Sequence, residues 1–157
     1  MVRVKRRYFT LQINTDNPKT ELLFSERDLV MALREAVQGI HGDFGLGSLI
    51  KSLTVKRLST QTRTALVGCQ RGSHELLSTS IPFVRKIKQT ECSLQVVYLS
   101  GTIRSSLKFL IAKFGRENKQ FAQQLKEDVY KRKTKTEDEA ASASKKNRLE
   151  VEEEFQE

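Results

Sequence analysis

The stretch RYFTLQIN, residues 7–14, alternates apolar and polar side chains and decides how the chain folds. Alternation with a period of two places Phe9, Leu11 and Ile13 on one face of a strand and leaves the other face to Tyr8 and polar residues. We therefore predict that the chain opens with a half-buried β-strand, against which later segments pack.

A helix is predicted to follow this strand after a polar turn. Ser25 and Asp28 have the spacing of a capping box, in which the two residues satisfy each other's backbone N–H groups at a helix start. Apolar residues then recur at helical spacing: Leu29, Leu33, Ala36, Val37 and Ile40. We expect the helix to end at Gly42 and residues 43–47 to form a turn.

The rest of the first 114 residues continues the alternation of strands and helices. The predicted elements are a strand over 49–59, a hairpin-linked strand over 62–70, a helical stripe over 76–87 kinked or divided at Pro82, a strand over 92–99, and a helix over 103–114. The strand over 92–99 is apolar on both faces, so we expect it to be central. The order βαββαβ is typical of a ferredoxin-like α+β sandwich. Helices on one face would leave the other face free for a ligand or partner.

Three regions follow from this pattern. Residues 1–114 form the predicted ferredoxin-like domain, and helical spacing continuing past Phe114 predicts a C-terminal helical extension over 115–130. Residues 131–157 are rich in Lys, Glu, Ser, Thr and Ala, a composition that does not bury a core. We expect them to form a flexible charged tail.

The positive charge is concentrated in the predicted domain. The whole chain carries 28 Lys and Arg against 19 Asp and Glu, a net charge of +9. Residues 1–114 contain 18 basic and 8 acidic residues (+10), whereas residues 115–157 contain 10 and 11 (−1). A strongly basic domain suits a polyanion, because neutralising phosphates releases condensed counterions. The alternative is that the charge serves only solubility.

Several classes of protein are not supported. No apolar run approaches the ~18 residues of a membrane span, and the N-terminus lacks a signal-peptide pattern, which predicts an intracellular protein with no membrane partner. Cys69 and Cys92 have no zinc-ligand spacing with the two histidines, so we expect two reduced thiols in the core. Neither a carboxylate cluster nor a nucleophile–base pair is apparent, so no catalytic and no metal residues are predicted. A small anion-binding hydrolase, which this fold also supports, is the least favoured function.

The predicted mode of RNA binding is through phosphates and shape. RNA-recognition motifs share the βαββαβ order and stack bases on aromatic residues of their first and third strands. The third strand here, residues 62–70, contains no aromatic residue. Base stacking on the sheet is therefore not expected, and basic side chains, backbone N–H groups and helix N-termini would carry the contacts.

Two basic segments suit such contacts. Arg3, Lys5, Arg6 and Arg7 precede the first strand as a basic arm, although they could equally be a solvated N-terminus.

The second basic segment is GTIRSSLK, residues 101–108, which joins a strand to a helix. Thr102 would cap the helix, and Arg104 and Lys108 would share one face of it. The alternative is that both basic residues only solvate an amphipathic helix.

The glycine-rich segment HGDFGLG, residues 41–47, is a third candidate, because glycines let the backbone approach another group closely. That group could be the adjoining strand or RNA. His41 by itself is more often a cap or a packed side chain than a functional group.

Three stretches resemble a known family: MVRVKRRYF at 1–9, HGDFG at 41–45 and above all GTIRSSLKFLI at 101–111. With weaker support from LVGCQ at 66–70 and the Ile81–Phe83 step, the sequence resembles the small protein subunit shared by nuclear ribonuclease P and ribonuclease MRP, the processing-of-precursors subunit five family. One departure is Gly68, where the family often has Arg before a Cys. Arg71 could substitute for that Arg.

The resemblance implies an accessory subunit that is not an enzyme on its own. In this family RNA performs catalysis, so the expected function is to stabilise the catalytic domain of the RNA for 5′-leader removal from precursor tRNA and for rRNA processing. The expected partners are ribonuclease P RNA, MRP RNA, a thirty-kilodalton TIM-barrel-like subunit, the other protein subunits and, indirectly, precursor tRNA. We expect no cofactor on the protein and magnesium on the partner RNA. A free-standing RNA-binding module of ferredoxin-like fold is the alternative.

The predicted RNA-binding residues are Arg3, Lys5, Arg6, Arg7, Tyr8, His41, Thr102, Arg104 and Lys108. The family setting and two basic clusters at 132–133 and 145–148, spaced like a bipartite import signal, predict a nuclear and nucleolar location.

Overall fold

A computed structural model of the chain describes residues 4–15 and 22–114. Its elements are β1 (Arg6–Asn14), α1 (Glu26–Ile50), β2 (Thr54–Ser59), β3 (Thr64–Gln70), a 3-10 turn (Arg71–Ser73), α2 (His74–Ser80), a second 3-10 turn (Ile81–Phe83), β4 (Lys86–Ile87), β5 (Thr90–Glu91), β6 (Ser93–Ser100) and α3 (Ile103–Phe114). The chain divides into two compact units, residues 1–109 and 110–157. The predicted extension over 115–130 and tail over 131–157 lie outside the described residues and stay predictions.

The alternating stretch of the sequence forms β1, one of the two inner strands of a four-stranded antiparallel sheet. The strand order is β2-β3-β1-β6, so β1 pairs with β3 on one side and with β6 on the other. Phe9, Leu11 and Ile13 are all fully buried on one face. This is the strand order of a ferredoxin-like sandwich, and the predicted α+β class is confirmed.

The main core lies between one face of the sheet and helices α1 and α2. It is formed by Phe9, Leu11, Ile13, Leu29, Leu33, Val37, Leu49, Leu53, Ala65, Val67, Cys69, Leu77, Ile81, Ile87 and their neighbours. The helix contribution repeats every three or four residues along α1, as the sequence pattern predicts. None of the described helices is both long and apolar enough to cross a membrane.

The predicted capping box at the start of α1 is confirmed. The backbone N–H of Ser25 donates to Oδ2 of Asp28 at 2.8 Å, and the backbone N–H of Asp28 donates to Oγ of Ser25 at 3.4 Å. Phe24 and Leu29 are both buried beside this cap, in the positions of a hydrophobic staple. The start of α1 is therefore fixed by local sequence.

The end of α1 differs from the prediction. Gly42 breaks the helix as expected, with φ 63° and ψ −160°, a conformation open in practice only to glycine. Residues 43–50, however, resume as a second helical segment instead of the predicted turn and strand start, and β2 begins only at Thr54. Helical winding resumes because it brings Gly45 and Leu49 into the core, where both are buried.

Gly45 allows the second segment of α1 to fold against the first. A Cβ at Gly45 would lie 2.4 Å from Cβ of His41 and 3.2 Å from Cγ1 of Val37. Contacts under 3 Å are not tolerated, so the HGDFG sequence builds a tight helical corner.

The prediction that Pro82 kinks or divides the helical stripe over 76–87 is correct in that the helix ends at Ser80, but the continuation of helix after Pro82 is wrong. The chain turns at Ile81–Phe83 and then forms a short hairpin in which Lys86 pairs with Glu91. Pro82 lacks the N–H needed to continue the helix. The apolar residues that resembled a helical stripe, Val84 and Ile87, are still buried, but they reach the core from the hairpin.

The prediction that β6 is central and the sheet's second face is free is also wrong. β6 is an edge strand, and the first half of α3, up to Phe109, lies against the second face. Tyr98 stacks on Phe109 with ring centroids 4.5 Å apart, and its hydroxyl is 3.0 Å from Oγ of Ser105. Thr10 and Leu66, which project from this face, are 1% exposed. The strand is apolar on both faces because both faces are covered.

The corner at Gly45 gives a stability prediction. We expect Gly45→Ala to lower the free energy of unfolding by about 1–3 kcal/mol, because the new Cβ clashes with a Cβ that cannot move independently of its helix. Gly39→Ala is the matched control, since nothing lies within 4 Å of a Cβ there. It should raise stability by about 0.5–1 kcal/mol through helix propensity. Urea denaturation measures both values. If the two substitutions change the free energy of unfolding equally, the close contact at Gly45 does not determine the result.

The capping box gives a pH-dependence prediction. The two hydrogen bonds from Ser25 hold the pKa of Asp28 below its ordinary value of 3.8, with a smaller contribution from Lys88. Because this pKa is lower in the folded state, the stabilisation is complete above 3.8 and is lost as pH falls through the folded-state pKa. We expect Asp28→Asn to reduce the acid-side loss of stability, measured by denaturant unfolding at neutral pH and below pH 3.8. If Asp28→Asn loses as much stability at low pH as the unmodified chain, the prediction is wrong.

Candidate nucleic-acid interface

Antiparallel pairing brings the predicted basic segments to one end of the sheet. The start of β1 lies beside the ends of β3 and β6, because Arg6 pairs with Gln70 and Tyr8 pairs with Ser100. The start of β2 lies at the same end, with Thr54 opposite Gly68. We call this region the basic end of the sheet; it comprises residues 5–8, 52–54, 68–71 and 100–108. Segments far apart in sequence therefore form one surface.

The segment containing Arg7 contacts the loop before α3. Nη1 of Arg7 is 3.1 Å from the position that a Cβ at Gly101 would occupy. The guanidinium of Arg7 therefore lies against the backbone that leads into α3. The two most basic predicted segments, residues 5–7 and 101–108, meet at this contact.

The start of α3 has the predicted cap. The backbone N–H of Ser105 donates to Oγ1 of Thr102 at 3.2 Å, and Thr102 is exposed. Arg104 and Lys108 are exposed on one side of the helix, whereas Ser106 and Leu107 on the other side are 0% and 3% exposed. Oγ of Ser106 is also 2.6 Å from Oγ of Ser100. The buried side fixes the helix on the sheet, so both cations point to solvent.

Two further cations have defined positions at the basic end. Nη2 of Arg6 donates to the backbone oxygen of Ser52 at 3.1 Å, which ties β1 to the segment before β2. The backbone N–H of Arg71 donates to the backbone oxygen of Lys5 at 2.9 Å, and the Arg71 side chain is exposed. Arg71 thus belongs to the basic end, whereas the sequence suggested it only as a substitute for the Arg that the family often has in place of Gly68.

Tyr8 lies over Gly68 in the neighbouring strand. A Cβ at Gly68 would be 3.0 Å from Cε1 and 3.1 Å from Cδ1 of Tyr8, and 3.5 Å from Oγ1 of Thr54. Glycine inside a strand marks a close approach of another group, and here that group is an aromatic ring. The departure from the family pattern at Gly68 therefore creates space for Tyr8.

Two predicted site residues do not join this surface within the described structure. His41 lies in the helix layer, where its Nε2 is 2.8 Å from Oγ1 of Thr79 and links α1 to α2. The main core separates that layer from the second face of the sheet. Arg3 lies outside the described residues. Roles for these two residues in RNA binding stay predictions.

The basic end carries six cations: Lys5, Arg6, Arg7, Arg71, Arg104 and Lys108. None of the four segments that meet there contains Asp or Glu. A surface of one sign, with its side chains held by a sheet and a helix cap, attracts a polyanion and orients it.

The titratable groups of the described residues offer little covalent chemistry. In residues 4–15 and 22–114, no group of three or more His, Cys, Asp or Glu could hold a metal ion. Cys69 and Cys92 are free and buried, as predicted. Burial raises the pKa of Cys69 to about 11, although nearby Arg6 opposes the rise, so its reactive thiolate is scarce at neutral pH.

Sequence reasoning missed one cation that lies outside the basic end but on the same face as Tyr8. Arg57 on β2 lies opposite Leu66, on the second face, and so shares that face with Tyr8. In the sequence, Arg57 is only one residue of a predicted strand, and the strand order decides which residues become its neighbours. The local signal for the contact with Tyr8 is Gly68, a glycine inside a predicted strand.

Comparisons with known proteins show which family the chain is similar to. Residues 7–111 match the model of the Rpp14/Pop5 family. The chain is 32% identical over 126 residues to ribonuclease P/MRP protein subunit POP5 of Danio rerio, covering 76% of this chain and 74% of that protein. It is 29% identical over 115 residues to the subunit of the same name from Homo sapiens, covering 71% of each.

Among solved structures, a chain of the yeast ribonuclease MRP structure determined by cryo-EM superposes with a TM-score of 0.49 and 14% identity, covering 76% of this chain and 98% of that one. The matched range begins at Arg7, so it leaves out only Lys5 and Arg6 of the basic end. It includes Arg104 and Lys108 of α3. The match extends over the whole sheet and into α3, so the chain belongs to the Rpp14/Pop5 family.

Proposed function

We propose that this chain is an RNA-binding protein subunit of the ribonuclease P and ribonuclease MRP ribonucleoproteins. The observation that carries the proposal is the basic end of the sheet, where six cations and no carboxylate come together. Its relatives are named as protein subunits of ribonuclease P/MRP. The chain acts as an accessory subunit, and the RNA performs catalysis.

The cations contribute by neutralising phosphates. Folded RNA packs phosphates closely, and each Lys or Arg that contacts them releases counterions and lowers the repulsion between strands. Arg104 and Lys108 present two charges about one helical turn apart, and the cap at Thr102 fixes where that turn begins. The protein thereby stabilises the catalytic domain of the RNA for 5′-leader removal from precursor tRNA and for rRNA processing.

Magnesium belongs to the RNA in this proposal. The basic end repels a divalent cation, and it offers no carboxylate to hold one. Phosphate oxygens of the RNA are the hard ligands that magnesium prefers. The protein residues hold the RNA in shape, and they bind no cofactor of their own.

The helix layer is the surface proposed for protein partners. Phe44 is 79% exposed and Phe83 is 65% exposed, and both lie on the helix side of the molecule, away from the second face. Exposed aromatic residues are enriched at protein interfaces. The thirty-kilodalton TIM-barrel-like subunit and other subunits would bind there, with precursor tRNA reached indirectly, in the nucleus and nucleolus.

The charge pair on α3 gives a direct test of RNA binding. We expect Arg104→Ala with Lys108→Ala to weaken binding of ribonuclease P RNA by about tenfold and to reduce the slope of log affinity against log salt by about 2, because two phosphate contacts are lost. The melting temperature should stay nearly unchanged, since both side chains are exposed. Filter binding over a range of salt concentrations measures the slope.

The matched control removes the same charge from the other end of the sheet. Arg85 and Lys86 are exposed beside the hairpin β4–β5, near Asn14 and Ser93. Arg85→Ala with Lys86→Ala should leave the affinity and salt slope closer to those of the unmodified chain. Equal losses in the two double variants would mean that only net charge matters and would contradict a defined site.

Membership of the ribonucleoproteins is tested by recovery of their RNA. Purification of the tagged full chain from cells, followed by RNA sequencing, should recover ribonuclease P RNA and MRP RNA together with the other protein subunits. The double variant at Arg104 and Lys108 should recover less of both RNAs. Recovery of other RNAs and of neither expected RNA would favour a free-standing RNA-binding module.

A further inference from the structure

We infer that Tyr8 stacks against one unpaired nucleotide of the bound RNA, while the surrounding cations hold the flanking phosphates. This inference rests on the proposed RNA-binding function and specifies what the site recognises. The missing aromatic residue in β3 argued against base stacking on the sheet. The structure changes that expectation, because an aromatic ring from β1 lies over the glycine of β3.

The contacts around Tyr8 fix the ring against the sheet. Gly68 contributes no side chain, and the ring approaches its backbone closely enough that a Cβ there would lie 3.0 Å from Cε1. Oγ1 of Thr54 lies on the far side of Gly68 and donates to the Gly68 carbonyl at 3.5 Å. The ring therefore packs against the glycine backbone on one side, and its half-buried state leaves part of the ring for a ligand.

The second face of the sheet is covered in its middle and more open at the basic end. On β6, the Tyr98 ring is already stacked on Phe109 of α3. Thr10 and Leu66, which lie in the same row across β1 and β3, are 1% exposed. Tyr8 lies one row closer to the basic end, on the inner strand β1 between Gly68 and Ser100, and is half-buried. Of the two aromatic rings that the described strands place on this face, Tyr8 is therefore the one accessible to a base.

The charges beside Tyr8 favour a nucleotide over an apolar peptide. Arg6 and Arg7 precede it, and the strand register places Gln70 and Arg71 next to them and Ser100 across from Tyr8. Arg57 lies diagonally across β3, on the same face. Aromatic rings bordered by cations are the arrangement that binds single-stranded RNA, because stacking holds the base and the cations hold its phosphates.

The geometry also selects unpaired over paired nucleotides. A base within a duplex is stacked on both sides, so its flat surface is not available to a side chain. A ring that packs against a sheet can stack only on a base that has left the helix, at a loop, bulge or end. The site thus recognises an irregular position in the RNA, whereas Arg104 and Lys108 contact phosphates in any structure.

The test compares two RNA probes with the full chain. The probes are an oligouridylate single strand and a blunt-ended, fully paired RNA duplex, each measured by fluorescence anisotropy. We expect Tyr8→Leu to weaken binding of the single strand by about tenfold or more and to change duplex binding less than about twofold, because stacking is lost and charge is kept. Tyr8→Phe should keep both affinities, since it retains the ring. Equal effects of Tyr8→Leu on the two probes, or none, would overturn the inference.

Two controls separate this inference from the proposed function. Met31→Ala removes an exposed apolar side chain from α1, in the helix layer, and should change neither affinity. If Arg104→Ala with Lys108→Ala weakens both probes and Tyr8→Leu weakens neither, RNA binding stands and stacking is wrong. If neither variant affects either probe, the proposed function itself is wrong.

A measurement on the unmodified chain covers the case in which Tyr8→Leu does not fold. Oligouridylate containing 5-iodouridine is irradiated in the complex, and the crosslinked peptide is identified by mass spectrometry. We expect an adduct on Tyr8, because iodouracil crosslinks most readily to an aromatic ring on which it stacks. Adducts on other residues and none on Tyr8 would overturn the inference.

Discussion

The pairing of β1 with a strand on each side is the interaction on which the rest of the structure depends. Phe9, Leu11 and Ile13 provide the middle of the core on one face, and Thr10 is buried beneath α3 on the other. Because both neighbours are antiparallel to β1, its first residues must lie beside the last residues of β3 and β6. The basic end is thus a direct consequence of strand topology.

The second face of the sheet combines a structural and a binding role. On this face, α3 is attached by the Tyr98–Phe109 stack and by hydroxyl contacts between Ser100 and Ser106. That attachment directs Arg104 and Lys108 to solvent. A helix that covers the middle of this face therefore supplies part of the proposed RNA-binding surface, and Tyr8 at the basic end stays half-buried.

Errors in the sequence-based interpretation share one physical cause. The stripe at Val84 and Ile87 and the strand over 92–99 were identified correctly as buried, but burial does not say which element or neighbour produces it. Apolar spacing in a short segment is compatible with a helix or a hairpin, and an edge strand is apolar on both faces if a later helix covers it. HGDFG was identified correctly as a close approach, but the approach is to α1 itself.

The sequence by itself determined the α+β order, the cap at Ser25, the break at Gly42 and the helix start at Thr102, because each depends on residues within a few positions of one another. It also identified Arg6, Arg7, Arg104 and Lys108 as candidates through charge. Only the tertiary structure decided that these residues share one end of the sheet, that His41 belongs to the helix layer, and that Tyr8 lies over Gly68. These are contacts between distant segments, and strand order and register, which no local pattern specifies, create them.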